Sequence, residues 1–189
     1  MLDQLIETAN AAYIRGDWDE ALAEYETALT MVSADEDPGR RADLLRRVGA
    51  VHRNRGDLDQ AWELYVASRE VAEAADLRDR LGEALNALAI VEMRRGRREE
   101  AAVLYLEARA IGEELGDDRL VAMVDQNMGI LANIEGNAPV ALLSYRSALE
   151  RYRRVGDDRT SCGALINMGM AHVDLGEWAF RGGAWVPGR

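Results

Sequence analysis

The stretch GDWDEALAEYETAL, residues 16–29, returns in altered form as GDLDQAWELYVAS at residues 56–68, GRREEAAVLYLEARA at residues 96–110 and GNAPVALLSYRSAL at residues 136–149. The four leading glycines and a fifth at Gly176 stand 40 residues apart. A fixed period of this length marks stacked copies of one supersecondary unit, none of which buries an apolar face alone.

The residues around each glycine say what that unit is. Seven positions before it the residue is small (Ala9, Gly49, Ala89, Gly129, Gly169), and five after it stands Ala21, Ala61, Ala101 or Ala141. Nine after it comes Tyr25, Tyr65, Tyr105 or Tyr145, and twelve after it Ala28, Ser68, Ala108 or Ala148. Two antiparallel helices on either side of the glycine account for this: small residues let the backbones approach, and the tyrosine fills the groove beside them. Glycine supplies the left-handed conformation that ends the first helix. Asp17, Asp57 and Asn137 are expected to cap the second helices and Pro139 suits a first turn, whereas Arg97 makes a poorer cap. Asp117 with Asp118, and Asp157 with Asp158, follow Gly116 and Gly156 and are read as caps of the next first helix rather than as calcium ligands.

The segments at residues 16–29, 56–68 and 96–110 resemble the turn and second helix of the tetratricopeptide repeat, with four copies in phase over nearly the whole chain. Residues 113–131, EELGDDRLVAMVDQNMGIL, and 152–171, YRRVGDDRTSCGALINMGMA, resemble repeats of bacterial signalling ATPases and transcriptional regulators. The usual repeat is about 34 residues, so a longer period implies longer helices. The resemblance implies an all-α fold, a right-handed α–α superhelix of four helical hairpins plus a fifth first helix. Its repeats would cover 2–37, 38–77, 78–117, 118–157 and, in part, 158–176. First helices would line a concave face and second helices the convex back.

Past Gly176 the pattern breaks. Arg181 and Trp185 stand where alanine and tyrosine are due, and Gly182 with Gly183 would interrupt a helix. Residues 177–189 are therefore expected to form an irregular tail, and the fifth repeat to lack its second helix. Much of the apolar surface of residues 161–176, Met168 included, would then lie open. Either the tail folds back over it, or two copies pair there as a homodimer through the C-terminal end.

The formal net charge is −11, which argues against nucleic acid or an anionic membrane as partner. Its distribution is uneven. Residues 17–37 hold eight acids and no base, while residues 40–56 hold six arginines against Asp43 alone. All 23 basic residues are arginine, a planar fork suited to gripping carboxylates. Given the resemblance, this makes the groove more positive than the rest of the chain, although the same arginines could simply pair with neighbouring acidic helices.

Within first helices, the positions ten, nine, six, three and two before each glycine share one face. They are Arg46, Arg47, Ala50, Arg53 and Asn54 in the second repeat, and Asn86, Ala87, Ile90, Met93 and Arg94 in the third. Gln126, Asn127, Ile130, Asn133 and Ile134 follow in the fourth, then Ile166, Asn167, Met170, Val173 and Asp174. Amides and guanidinium groups beside isoleucine and methionine suit an extended peptide, whose backbone needs donors and acceptors and whose side chains need somewhere to pack. Asn127 and Asn167 match asparagines that related repeats use to hold ligand main chain; Glu7, Arg47 and Ala87 depart from that pattern. The candidate groove residues are accordingly Arg46, Arg47, Arg53, Asn54, Asn86, Arg94, Gln126, Asn127, Asn133 and Asn167.

No catalytic constellation emerges, and no cofactor or metal is expected. His52 and His172 lie three repeats apart and are read as packed or hydrogen-bonded. Cys162 is alone and read as a packed or half-exposed thiol. Trp18, Trp62 and Trp178 fall at apolar positions of the repeat. There is neither an apolar run of the roughly 18 residues that span a bilayer nor a basic N-terminal start, so a cytoplasmic protein is expected. The expected function is a non-enzymatic interaction module that takes a peptide, possibly acidic, in a bacterial regulatory or signalling system. The alternative is a self-assembly scaffold with no peptide ligand.

Overall fold

The computed structural model describes residues 1–176 in full and the backbone alone of residues 178–181 and 184–187. Nine helices run along the described residues: α1 (Leu2–Arg15), α2 (Trp18–Thr30), α3 (Pro38–Arg55), α4 (Leu58–Ala74), α5 (Arg78–Arg94), α6 (Arg98–Leu115), α7 (Asp118–Ile134), α8 (Ala138–Val155) and α9 (Asp158–Asp174). The chain is thus all-α and of the helical-repeat class that the glycine period predicts.

Each of the five phased glycines has a φ between 72 and 92° and ends a first helix. At Gly16 the turn closes with two bonds back into α1, from the amide of Gly16 to the Tyr13 carbonyl and from that of Asp17 to the Ala12 carbonyl. Gly116 and Gly156 do the same between repeats. Asp76 takes that place one repeat earlier with φ 54°, a conformation that a residue with a Cβ rarely adopts. Asp17, Asn137, Asp117 and Asp157 cap their helices through side-chain oxygens. Asp57 does not: its carboxylate lies 3.5 Å from His52 Nδ1 and 3.8 Å from Arg55 Nε, drawn back toward the end of α3 instead of onto the amides of α4.

The chain forms two compact units, Met1–Leu104 and Tyr105–Arg189. In the first, α1 packs on α2, α3 on α4, and α2 and α4 each on the helix that follows. Its core gathers Tyr25 with Ala9, Ala21, Ala28 and Val48, and Tyr65 with Ala61, Leu88 and Val91. In the second, α8 packs on α7 and α9. Tyr145 sits with Ala132, Ala141 and Ala171, and Tyr152 with Ala122, Ala148 and Ala164.

The small residue before each turn and the tyrosine after it interlock. A Cβ added at Gly49 would stand 2.6 Å from Tyr65 Cε1, and one at Gly129 would stand 2.5 Å from Tyr145 Cε1. Ring and backbone are in direct contact, so even a methyl group does not fit. At Gly169, in the same register of α9, nothing lies within 4 Å of such a Cβ. No tyrosine faces it, because no second helix follows α9 among the described residues.

The expected irregular tail is in fact regular in part. β1 (Trp178–Arg181) and β2 (Ala184–Pro187) pair antiparallel with Trp178 opposite Pro187, and β1 touches α9. The expectations for Gly182 and Gly183, and for the side chains of Trp178, Arg181 and Trp185, fall outside the described residues. Met168, expected to lie open, instead packs against both clusters of the second unit. The open apolar side of α9 is Leu165, Ile166 and Met170, of which Ile166 is 65% and Met170 57% exposed. Cys162 is exposed, its Sγ 3.4 Å from the Asp158 carbonyl.

Two expectations follow from this packing. Gly49→Ala and Gly129→Ala should each lower stability in urea melts, because overpacking at about 1–3 kcal/mol outweighs a helix-propensity gain of about 1 kcal/mol. Gly169→Ala keeps only the gain and should be neutral or stabilising; the same sign at all three sites would contradict the interlock. The second concerns pH. Burial pushes the Tyr145 hydroxyl up to about 12 from its ordinary 10 and raises that of Tyr152 as well. A folded-state pKa above the unfolded one stabilises the fold fully below pH 10, and that stabilisation is lost as pH rises toward 12. The melting temperature should therefore fall steeply over that interval, and less so in Tyr145→Phe; superimposable profiles would refute it.

Candidate functional site

In the first unit the face shared by first helices is built on α3, with α5 beside it. Arg46, Ala50 and Arg53 form one stripe along α3, since residues four and seven apart return to the same side.

Arg46 is the one groove arginine of this stripe that the neighbouring acids neutralise. Its Nη2 lies 3.0 Å from Glu83 Oε2 and 3.6 Å from Asp43 Oδ1, and Arg80 joins the same pair at 3.7 and 3.3 Å. Arg47 instead donates to Asn10 Oδ1 at 2.6 Å, and Arg94 to the backbone carbonyl of Arg53 at 2.9 Å. Among the described residues no carboxylate pairs with Arg47, Arg53 or Arg94. The face therefore keeps three positive charges inside a chain of net charge −11.

Neutral groups fill the space between them. The Oδ1 of Asn10 also accepts from the Tyr25 hydroxyl at 2.6 Å, and Asn54 Nδ2 donates to the Tyr13 hydroxyl at 2.8 Å. Asn10, Tyr13, Arg46, Arg47 and Ala50 border a shallow hollow of about 430 Å³. Asn10 and Tyr13 are absent from the sequence-predicted set, yet they occupy the positions six and three before Gly16; carrying the register back into the first repeat finds them. Asn86, predicted to face the groove, is 3% exposed and belongs to the core, because α5 is enclosed on more sides than its amphipathic pattern implies.

Among the described residues, the buried polar atoms of this region without a hydrogen-bond partner include the Tyr65 hydroxyl and Arg53 Nε. The Tyr65 hydroxyl is fully buried and nothing accepts its proton, and Arg53 Nε is buried in the same state. Burial raises the Tyr65 pKa, and the charges of Arg53, Arg46 and Arg94 pull it back. A buried donor without an acceptor costs about 1–3 kcal/mol. Repeat one avoids that cost: Tyr25, the counterpart of Tyr65, meets Asn10, whereas the counterpart of Asn10 in repeat two is Ala50, which offers no oxygen.

In the second unit the predicted residues are more occupied. Asn133 Nδ2 donates to Asp174 Oδ2 at 3.3 Å. The Gln126 side chain lies against Gly163, with its Oε1 buried and unpaired. Asn127 and Asn167 are half-buried. Sequence reading missed the ionic centre of this unit, Asp125, which is 4% exposed and accepts from Arg109 Nε at 2.8 Å and Ser147 Oγ at 2.6 Å. Its place in an apolar run of α7 gives the buried carboxylate no signature in the repeat pattern.

Among the described residues no three metal-binding side chains converge, and no helix is long and apolar enough to cross a membrane. His52 is packed against Asp57. Trp18 stacks edge-on with Tyr13 at 5.3 Å, and the half-open Trp62 carries Arg95 over its ring at 5.7 Å.

The family profile of the tetratricopeptide repeat matches residues 40–114 and again residues 80–154, together more than half the chain. The chain belongs to the tetratricopeptide-repeat family. Repeats of this family are generally non-catalytic protein-interaction folds. No curated protein matches the chain. Similar solved structures include BtubC (BKLC) from P. vanneervenii, 22% identical over 92% of this chain and 72% of that one, with a TM-score of 0.72. They also include the Rap conjugation gene regulator of plasmid pLS20 in complex with a Phr peptide, 15% identical over 91% and 48%, TM-score 0.81. A Rap protein complexed with Competence and Sporulation Factor is 15% identical over 89% and 47%, TM-score 0.80. At these identities the likeness is one of fold, and the chain spans about half the length of the two Rap proteins.

Proposed function

We propose that this chain is a non-enzymatic interaction module that takes an acidic peptide segment of a partner protein on the face carrying Arg47, Arg53, Asn54 and Arg94. One observation carries the reading: three guanidinium groups on that face lack a carboxylate among the described residues, in a protein with a large excess of carboxylates. Uncompensated arginine on an otherwise acidic molecule favours an anionic ligand at one place and repels it elsewhere, which gives specificity as well as attraction. The second unit, taken by itself, carries amides suited to a peptide backbone at Gln126, Asn127, Asn133 and Asn167. One Rap structure, a conjugation gene regulator in complex with a Phr peptide, supports a peptide ligand and a place in a regulatory system; we place that system in the bacterial cytoplasm.

The open apolar side of α9 favours a second reading, self-association into a homodimer through the C-terminal end, since Ile166 and Met170 together leave an uncovered patch.

Phage display on the intact protein separates the two. Selected peptides should be enriched in Asp and Glu and bind more weakly as salt rises. Joint replacement of Arg47 and Arg94 by Gln should weaken them at least about tenfold with circular dichroism and melting unchanged, since charge-assisted bonds to carboxylates would be lost. Affinity indifferent to salt and to both replacements would refute the peptide reading. Mass that grows with concentration, without any selected peptide, would favour assembly.

A further inference from the structure

The second helices of the first unit carry apolar side chains where the repeat points outward. Seven residues after its glycine the first repeat has Ala23 and the second Glu63, both exposed; the third has Val103, which is 63% exposed. Trp62 on α4 is 37% exposed. Both line one open hollow of about 410 Å³, with Val66 of α4, Leu88 of α5 and Leu104 of α6. Packing within the chain accounts for Leu88 and Leu104, which join the cluster around Tyr65, but not for the open surfaces of Trp62 and Val103. The indole is also held in place. Arg95 lies over its ring at 5.7 Å and is itself fixed by Glu92 Oε1 at 3.3 Å, so this wall stands ready before any ligand arrives.

Charge around the hollow is lopsided. The arginines that line it are already paired, Arg97 with Glu92 Oε2 at 3.1 Å and Arg69 with Glu73 Oε1 at 3.5 Å. The acids beside it are not. Glu63 and Glu70 stand three and four residues from Val66, and Glu99 and Glu100 stand four and three from Val103, which puts each on the same side of its helix as the apolar residue. Among the described residues no arginine pairs with any of these four. On α4 and residues 98–104 of α6, the one cation likewise without an acid is Arg98.

We infer that this hollow is a docking surface for a basic segment of a partner protein. One large apolar side chain of that segment enters between Trp62 and Val103, while lysines or arginines on either side of it meet Glu63, Glu70, Glu99 and Glu100. Such a surface has the usual division of labour of an interface: an aromatic and aliphatic centre supplies the burial, and the charged border selects the sign of the partner. The ligand is opposite in charge to the acidic peptide proposed above and uses second helices instead of the arginine stripe of α3, so the two readings stand or fall separately.

The probe is a peptide blocked at both ends, Lys-Lys-Ala-Phe-Ala-Lys-Lys, and the readout is the indole N–H signal of Trp62 in a nitrogen-15 spectrum of the full chain. The peptide should move that signal saturably, and less tightly as salt rises. Alanine in place of its phenylalanine, or glutamate in place of its lysines, should weaken binding at least about tenfold, through loss of the buried anchor or of the charge match. Val103→Gln alters an exposed position, so it should keep the parent's circular dichroism and melting temperature and weaken the peptide to the same degree. Glu63→Gln combined with Glu100→Gln should flatten the salt dependence, and joint replacement of Arg47 and Arg94 by Gln should leave the peptide bound. The inference is overturned by the absence of a saturable shift, by equal binding of the phenylalanine and alanine peptides or of the lysine and glutamate peptides, or by unchanged affinity in Val103→Gln. Loss of binding on replacing Arg47 and Arg94 overturns it as well. So does a mass that grows with concentration in the parent and not in Val103→Gln, which would make the occupant a second copy of this chain.

Discussion

The contact between a tyrosine ring and the bare backbone of the helix before it sets the geometry of the second and fourth hairpins. In the second and fourth repeats the ring touches glycine so closely that a methyl group has no room. Interhelical distance depends on the side chains at the contact, so a small residue there draws the two helices together and fixes their rotation. That rotation decides which residues of a first helix point inward, toward the tyrosine, and which remain on the outer stripe. The arginine face of α3 follows from the same register: with Gly49 held against Tyr65, Arg46, Ala50 and Arg53 share one stripe of α3.

The same contact explains why an unpaired hydroxyl can persist in the core. The ring of Tyr65 is held by its fit against Gly49 and by Ala61, Leu88 and Val91, a burial large enough to carry a polar tip with no partner. In the first repeat the tip is satisfied by Asn10, so the framework does not require it to be bare. A structural role accounts for the ring, and only a difference between repeats accounts for the hydroxyl.

Much of the fold was legible because repetition amplifies weak local signals. One glycine followed by alanine and tyrosine says little, but the same spacing four times over fixes helix pairs, turns and buried positions together. What the pattern could not show were features that break it. Asp57 looks like Asp17 in sequence yet turns toward His52 and Arg55; Arg15 stands where Arg55 does, so the neighbour specific to the second repeat is His52, where the first repeat has Ala12. Asn86 reads as a groove residue by register and lies in the core because more helix surrounds α5 than its sequence reveals. Arg46 and Arg53 are indistinguishable as letters; acids placed 37 and 3 residues away in sequence neutralise the first and leave the second alone. Asp125 and the strand pair after α9 likewise depend on neighbours that no repeat alignment brings together.

The interlock is tested most directly by a double-mutant cycle in urea that combines Gly49→Ala with Tyr65→Ala. If ring and backbone are in contact as described, the cost of the added methyl group exists only while the ring is present. The account predicts that Gly49→Ala destabilises the parent and is neutral or stabilising in the Tyr65→Ala background, with a coupling of about 1 kcal/mol or more. Equal cost in both backgrounds would mean that the tyrosine does not set the approach of the helices, and would contradict the account.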